Sequence, residues 1–410
     1  LSNFFNRFYT FFSLFHTFFQ IFRNFSTTFD VFKHELARLV LPYFVYLVYL
    51  NKIEQPQIQS QTQVITLTFK SFLNRIFGIF RVFQYRELEL RVLSGIQPSG
   101  RLHIGNFFGA MRQHLKLQAE HDCFYFIADF HALTSNPAPA DVAQHTLDVT
   151  MDYIALGLDT KKTVFWRQSD VPEVLELAWL LSCVTPKGLL ERCTSFKDKV
   201  AQGLSPNHGL FAYPVLQAAD ILIYKSDLVP VGADQKQHIE VTRDIAIRFN
   251  NAYGEVFTVP KEYIIESVAV VPGIDGRKMS KSYGNTIEIF EPEKTARKKI
   301  MSIVTDSTPV EDPKDPDKCN VFALLKLVAS PDELAEWEKR YRSGGMGYSE
   351  TKKRLAELIM EYFQPFRQKR TELENNIDYV KEVLADGAKR AKTVAAKTLE
   401  QARQAVGLRR

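Results

Sequence analysis

The stretch from Arg91 to Asn106, RVLSGIQPSGRLHIGN, constrains this chain more than any other. Arg91 to Ile96 reads as a buried strand. Gln97-Pro98-Ser99-Gly100 cannot continue it, so the chain turns there. After Leu102, His103-Ile104-Gly105-Asn106 leads into an apolar, amphipathic run, Phe107 to Leu117, that predicts a helix. A strand, a glycine-bearing loop and a helix N-terminus together make an anion site, because the first turn's free N–H groups and the helix dipole both face the loop. Gly105 lets a ligand lie directly on the backbone. Taken alone, such a loop is more often a structural turn than a phosphate site.

Beyond it the chain alternates strand and helix. Asp122 to Phe130 has strand character and ends at His131-Ala132-Leu133-Thr134. Ala140 to Gly157 is expected to be helical, with Ala143, Leu147, Met151, Ile154 and Leu158 on one face. Thr163 to Trp166 reads as another buried strand, followed by Gln168-Ser169-Asp170 and a helix from Pro172. This order predicts an α/β chain with a doubly wound, mostly parallel, Rossmann-like sheet, whose ligands bind at the carboxyl ends of the strands.

In the helix expected over 209–221, Tyr213, Gln217 and Asp220 share a face. Polar groups on an otherwise apolar helix suit either a solvated stripe or a pocket with a few placed hydrogen-bonding groups. Leu228 to Val231 is a strand, and Gly232-Ala233-Asp234 precedes a helix to about Phe249, where Asp234 reads most simply as an N-cap.

Past Gly284 strand signals fade. Helices over 292–302, 321–327, 330–342, 349–366 and 370–405 predict an all-helical C-terminal domain. From Asp386 to Arg410, seven Lys/Arg stand against two Asp/Glu, which is a solvated face or a contact for RNA phosphates. Cys123, Cys183, Cys193 and Cys319 are scattered, so neither a zinc site nor a disulfide framework is expected. They suit a reducing, cytoplasmic compartment.

A second motif, Arg277-Lys278-Met279-Ser280-Lys281-Ser282, changes the weight of the first. Together they resemble the HIGH-type loop and the KMSKS loop of class I aminoacyl-tRNA synthetases. Ser94 to Gly100, Tyr213-Pro214-Val215-Leu216-Gln217-Ala218-Ala219-Asp220 and Val231-Gly232-Ala233-Asp234-Gln235-Lys236-Gln237-His238 are similar to the bacterial-type tryptophanyl-tRNA synthetase. The resemblance runs from about Leu90 to the C-terminus.

The resemblance implies a ligase that activates L-tryptophan with ATP and charges tRNA(Trp). Gln97, Pro98, Ser99, Gly105 and Asn106 would line the phosphates, with His103 at the first signature position, where many tryptophanyl enzymes carry Thr. Lys278 and Lys281 would hold the β- and γ-phosphates, with Met279, Ser280 and Ser282 shaping their loop and Lys197 on the pyrophosphate side. Gly232, Ala233 and Asp234 would meet the adenosine, and Val271 the adenine. Asp220 would take the indole N–H, and Tyr213 and Gln235 the α-amino group. Gln217 departs from the Met that several members place against the indole, and a Gln beside an Asp is also similar to the tyrosyl enzyme. Mg²⁺ would arrive with ATP, and no protein-bound metal is expected. A homodimer without membrane attachment, with the helical domain reading the anticodon, is implied as well. A tyrosine-specific synthetase and a non-catalytic paralogue that binds tRNA or senses tryptophan are the alternatives.

The resulting division is a Phe-rich extension over 1–90, a catalytic domain over 91–285 and an anticodon-binding domain over 286–410. Residues 1–90 hold 18 of the 32 Phe, one of the 19 Gly and no Met. Nine Lys/Arg against five Asp/Glu there give +4 of the total +5, so the high pI is no sign that the body binds nucleic acid. The first Met is Met111, inside the expected signature helix. The simplest reading is a native start at Leu90 from a non-ATG codon, with the extension as translated upstream sequence. A targeting peptide would be Arg- and Ser-rich rather than Phe-rich. The uncharged runs 8–22 and 39–51 fall short of the ~20 apolar residues of a spanning helix. An accessory domain is the remaining alternative.

Overall fold

The computed structural model describes residues 90–408, except 202, 233–234 and 265–270. The extension expected at 1–90 lies, but for Leu90, outside them. Five strands form one sheet: β1 (Arg91–Ile96), β2 (Asp122–Ile127), β3 (Val164–Arg167), β4 (Leu228–Val231) and β5 (Lys261–Ile264), in the order β3-β2-β1-β4-β5. Every pairing is parallel, and Val92 stands between Cys123 on one side and Leu228 on the other. The chain winds outward from β1 in one direction and then, from β4, in the other. The carboxyl end of β1 is therefore the switch point at which such sheets bind ligands. The loop from Gln97 to Leu102 leaves the sheet there.

Side-chain alternation defines two buried faces. Val92, Cys123, Tyr125, Ile127 and Phe165 enter one apolar cluster. Leu93, Phe124, Phe126, Val164, Trp166 and Val229 enter the other. Burial on both faces is why these strands read as nearly continuous apolar runs.

The first face is covered by α1 (Ile104–Asn106), α2 (Arg112–Leu117) and, beyond the short α3 (Asp129–Ala132), α4 (Pro139–Ala155). The second is covered by α5 (Glu173–Ser182), α6 (Lys187–Glu191), α8 (His208–Ile223) and α9 (Lys236–Tyr253). Between them, α7 (Thr194–Ala201) leans on α8 through Phe196 and Phe211, ring centroids 5.5 Å apart. The C-terminal part contributes α10 (Glu293–Met301), α11 (Asn320–Val328), α12 (Pro331–Ser343), α13 (Tyr348–Glu374) and α14 (Ile377–Ala405).

Several expected elements are corrected. The signature helix starts at Ile104 rather than Phe107, and Phe107–Met111 is a π-helical turn. Its wider spacing turns Phe107, Phe108 and Met111 all inward. Phe107 meets Phe363 at 5.2 Å and Phe108 meets Tyr362 at 5.6 Å, both on α13. β2 ends at Ile127, not Phe130, because Asp129 opens α3 and its carboxylate accepts from the Ser169 N–H at 3.0 Å. Ala143 is exposed on the first turns of α4, while Met151, Ile154 and Leu158 are buried. The helix expected to end at Phe366 runs on to Glu374 with Pro365 inside it, and the last helix starts at Ile377 with the Asn376 side chain as its cap.

Residues from Leu88 to Arg410 form one compact unit, and both apolar clusters run across residue 285. Ile300, Phe322, Tyr341, Leu355, Phe363 and Leu384 join the first. Ala391, Ala395, Leu399 and Ala402 of α14 join the second. Between them Gly387 rides on strand β3, where an added Cβ would lie 1.8 Å from the Phe165 carbonyl oxygen. α14 thus crosses the sheet's β3 edge and shields it. Three of the six basic residues of this helix are engaged in that task. Arg390 donates to the Thr160, Lys162 and Thr163 carbonyls, Lys392 pairs with Glu173, and Arg403 pairs with Glu176.

Candidate active site

The site is assembled at the carboxyl ends of the strands from the loop after β1 and a hairpin that follows β5. His103 caps α1: its Nδ1 accepts from the Asn106 N–H at 3.2 Å, and Asn106 Oδ1 accepts from the His103 N–H at 3.1 Å. The reciprocal pair satisfies two donors that a helix start otherwise leaves open. It also leaves the imidazole with Nδ1 as acceptor, so Nε2 carries the proton of the neutral ring. Burial, and then the Lys281 charge, lower the His103 pKa to about 4. The ring is therefore neutral at physiological pH.

Residues 271–285 fold back as a hairpin. The Met279 N–H donates to the Val271 carbonyl at 2.9 Å, and the Gly273 N–H to the Arg277 carbonyl at 2.7 Å. Asn285 locks its base, accepting from the Ser280 N–H at 2.8 Å and donating to Asp275 at 2.6 Å and the Lys278 carbonyl at 3.1 Å. Ser280 and Ser282 join hydroxyls at 2.8 Å. The chain beyond runs along the signature loop: the Ile104 N–H donates to Ile287, and the Ile289 N–H to Leu102.

Two contacts bring hairpin and loop together. Lys281 Nζ donates to the Gly100 carbonyl at 2.9 Å and the Ser99 carbonyl at 3.0 Å. Gly105 lies so close to the hairpin that an added Cβ would stand 3.2 Å from Met279 Cβ and 2.9 Å from His103 Nδ1. Gly100 takes φ +96°, which only glycine adopts without strain, and a Cβ there would approach the His145 ring and Lys281 Nζ. Partial burial lowers the Lys281 pKa, and the negative charges of Asp152 and Glu288 oppose that shift. An ammonium whose partners are two carbonyls and, at 3.4 Å, the Ser99 hydroxyl is well placed to accept a polyanion.

The second half of the site lies around Asp220, buried on α8. His131 Nε2 donates to Asp220 Oδ2 at 2.8 Å, and Gln168 Nε2 reaches both carboxylate oxygens at 2.8 Å. Gln168 is itself fixed, its Oε1 accepting from the Phe130 N–H at 3.1 Å. Burial raises the Asp220 pKa, and the His131 and Gln168 hydrogen bonds oppose it. The Tyr213 ring stands edge-on to His131 at 6.3 Å, with its hydroxyl 2.7 Å from His238 Nε2. Gln217 is half-buried one turn before Asp220.

The residues match the family described as tRNA synthetases class I (W and Y) over 86–364. The chain belongs to that family. Over 320 residues it is 54% identical to a tryptophan–tRNA ligase of Rhodopirellula baltica, covering 78% of this chain and all of the relative. A tryptophan–tRNA ligase of Fusobacterium nucleatum is 53% identical over 319 residues, 78% of this chain and 98% of its own length. The crystal structure of tryptophanyl-tRNA synthetase from Campylobacter jejuni, complexed with ADP and tryptophan, superposes with a TM-score of 0.75 at 51% identity, covering 78% of this chain and all of that one.

In this class I synthetase the two signature motifs meet: Ser99, His103, Gly105, Asn106, Met279 and Lys281 adjoin one another. Gln97 is exposed and Pro98 buried on the same loop, and Val271 is buried at the hairpin base with its carbonyl engaged by Met279. Lys278 stands exposed on the hairpin, and Lys197 stands exposed on α7. Gly232 is exposed after β4, and Gln235, half-buried, occupies the N-cap position of α9, so the capping position falls one residue after Asp234. Ala233 and Asp234 lie outside the described residues. His131 and Gln168 were missed by the sequence reading, because each sits just after a strand in a segment that looked only like a strand end. Their signal was a lone polar side chain at the carboxyl terminus of a parallel strand, where such sheets place ligands. Among the described residues no group of three or more His, Cys, Asp or Glu is arranged to hold a metal ion. Among the same residues no helix is long and apolar enough to cross a membrane.

Proposed function

We propose that the chain is a tryptophan–tRNA ligase that joins L-tryptophan to ATP as tryptophanyl-adenylate, releases diphosphate, and esterifies tRNA(Trp). The observation that carries this reading is the docking of Lys281 on the Ser99 and Gly100 carbonyls, within a chain that is 54% identical over 320 residues to the whole length of a tryptophan–tRNA ligase. Activation needs no general base, since the attacking carboxylate is ionised at neutral pH. The rate must come from aligning carboxylate with α-phosphate and from cations on the leaving phosphates. Lys281, held by carbonyl oxygens, exchanges them for phosphate oxygens when MgATP binds. Lys278 joins it from the hairpin, and Lys197 from α7. His103, neutral with Nε2 as donor, the Gly105 N–H and the Asn106 side-chain NH2 face the phosphates, beside Gln97, Pro98 and Ser99. Gly232, Ala233, Asp234 and Val271 serve the adenosine. Met279 seats the hairpin on Gly105, while Ser280 and Ser282 brace its turn.

Asp220 receives the indole N–H, and a ring without a donor would leave that buried carboxylate short of a partner. Tyr213 and Gln235 hold the α-amino group, and Gln217 borders the ring. Mg²⁺ enters as part of the nucleotide substrate. Residues 286–410 serve the anticodon end of tRNA. Trp179 and Leu175, 70% and 44% exposed on one face of α5, support a homodimer built on that helix. A cytoplasmic site of action fits this set of substrates. The test is charging: the full chain with ATP and labelled tryptophan should esterify tRNA(Trp), and folded protein that charges no tRNA would overturn the reading.

A further inference from the structure

Asp129, which opens α3, accepts three hydrogen bonds, and two of them come from the segment after β3. Its Oδ1 accepts from the Phe130 N–H at 3.1 Å and the Ser169 N–H at 3.0 Å, and its Oδ2 accepts from the Ser169 hydroxyl. β2 and β3 run parallel with Ile127 beside Arg167, so Asp129 and Ser169 each stand two residues past one register position. The Phe130 N–H is shared, since it also donates to Gln168 Oε1 at 3.1 Å. Two neighbouring strand ends are thus fastened to each other by side chain and backbone.

The fastening adjoins both donors to Asp220. His131 lies two residues after Asp129, and Gln168 one residue before Ser169. They reach the Asp220 carboxyl group at 2.8 Å from different strand ends, and the chain between them runs through α4 and β3. No short covalent link sets their spacing. A slip of either strand end would draw one donor away and leave the carboxyl group free to turn. A carboxylate that only started α3 would serve the N–H groups of that helix, whereas two of the three partners here belong to Ser169.

We propose that Asp129 is a positioning residue for tryptophan recognition: through Ser169 it joins the ends of β2 and β3, and so sets the two donors, His131 and Gln168, that aim Asp220 at the indole N–H. Asp129 acts through those donors. The inference rests on the ligase reading above.

The test uses the full chain in ATP–pyrophosphate exchange, with thermal unfolding measured in parallel. The amino acids are tryptophan and its analogue with sulfur in place of the indole N–H, which offers Asp220 no donor. In Asp129→Ala, kcat/KM for tryptophan should fall about tenfold, with that for the analogue and KM for ATP within about twofold. The preference for tryptophan over the analogue therefore shrinks about tenfold, a change that a general loss of folded protein does not produce. Ser169→Ala removes one hydroxyl and keeps the backbone contacts, so it covers the case in which Asp129→Ala fails to fold. Its preference should shrink about threefold, the effect of one weakened hydrogen bond. An undiminished preference in folded variants, with both amino acids unaffected or falling together, would overturn the inference alone. Folded wild-type chain that gives no exchange with tryptophan would overturn the ligase reading and this inference with it.

Discussion

His131 Nε2 lies 2.8 Å from Asp220 Oδ2, although 89 residues separate them in sequence. One comes from the turn that ends β2 and the other from the middle of the chain on α8, and Gln168 after β3 completes the clasp. Three elements thus converge on one buried carboxylate at the carboxyl edge of the sheet. A carboxyl group held by two protein donors keeps its direction before any ligand arrives, which is the preorganisation that selective recognition needs.

Asp220→Asn should lower kcat/KM for tryptophan by about 10²–10³ while leaving KM for ATP near wild type, because an isosteric amide turns an acceptor into a mixed group. Steady-state exchange kinetics read both constants. The pH profile gives a second check. Burial raises the Asp220 pKa and Gln168 opposes that rise. Gln168→Leu removes a donor to the charged form, so the acid limb of kcat/KM for tryptophan should move to higher pH. An unmoved limb would show that Asp220 does not govern it.

Lys281→Ala should cut the exchange kcat by about 10²–10³, the usual cost of losing one preorganised group on a developing charge. KM for tryptophan should change little, since the lysine sits on the signature loop and not beside Asp220. A raised KM for ATP with kcat unchanged would place Lys281 in ground-state binding instead.

The fold class was legible because the periodicities were clean: apolar strands buried on both faces, separated by helices. The meeting of Lys281 with Gly100 was legible only as two motifs of known kinship. What could not be read was long-range pairing of single polar residues. His131, Gln168, Asp129 and Ser169 each look like an ordinary solvated or capping residue until the sheet order brings them together. The basic run of α14, read as a solvated face or an RNA contact, does keep Lys389 and Lys397 exposed, but its ion pairs were not legible. Charge counting does not reveal that Arg390, Lys392 and Arg403 are paired with the chain's own carbonyls and carboxylates.

Two imidazoles tie stability to pH. Burial holds the His103 and His114 pKa values near about 4, against 6.5 for a free ring. Between those values the unfolded chain binds the extra protons, so this contribution makes stability rise with pH from about 4 to 6.5 and level off above. His103→Asn retains a capping acceptor and removes one titrating group. Urea unfolding followed across that window should show a shallower rise for the variant, and an unchanged slope would contradict the burial of His103.

Gly387→Ala tests the path of α14. A Cβ there would stand 1.8 Å from the Phe165 carbonyl oxygen, a distance no rotamer can relieve. The helix must lift from β3, so the unfolding midpoint should drop with a loss of roughly 3 kcal/mol or more. An unshifted midpoint would mean that α14 does not lie against that strand.

The most direct measurement is ATP–pyrophosphate exchange by the full chain with tryptophan and with tyrosine as the only amino acid supplied. The ligase reading predicts rapid exchange with tryptophan and far slower exchange with tyrosine. Preferential exchange with tyrosine, or none with either from folded protein, would contradict the assignment.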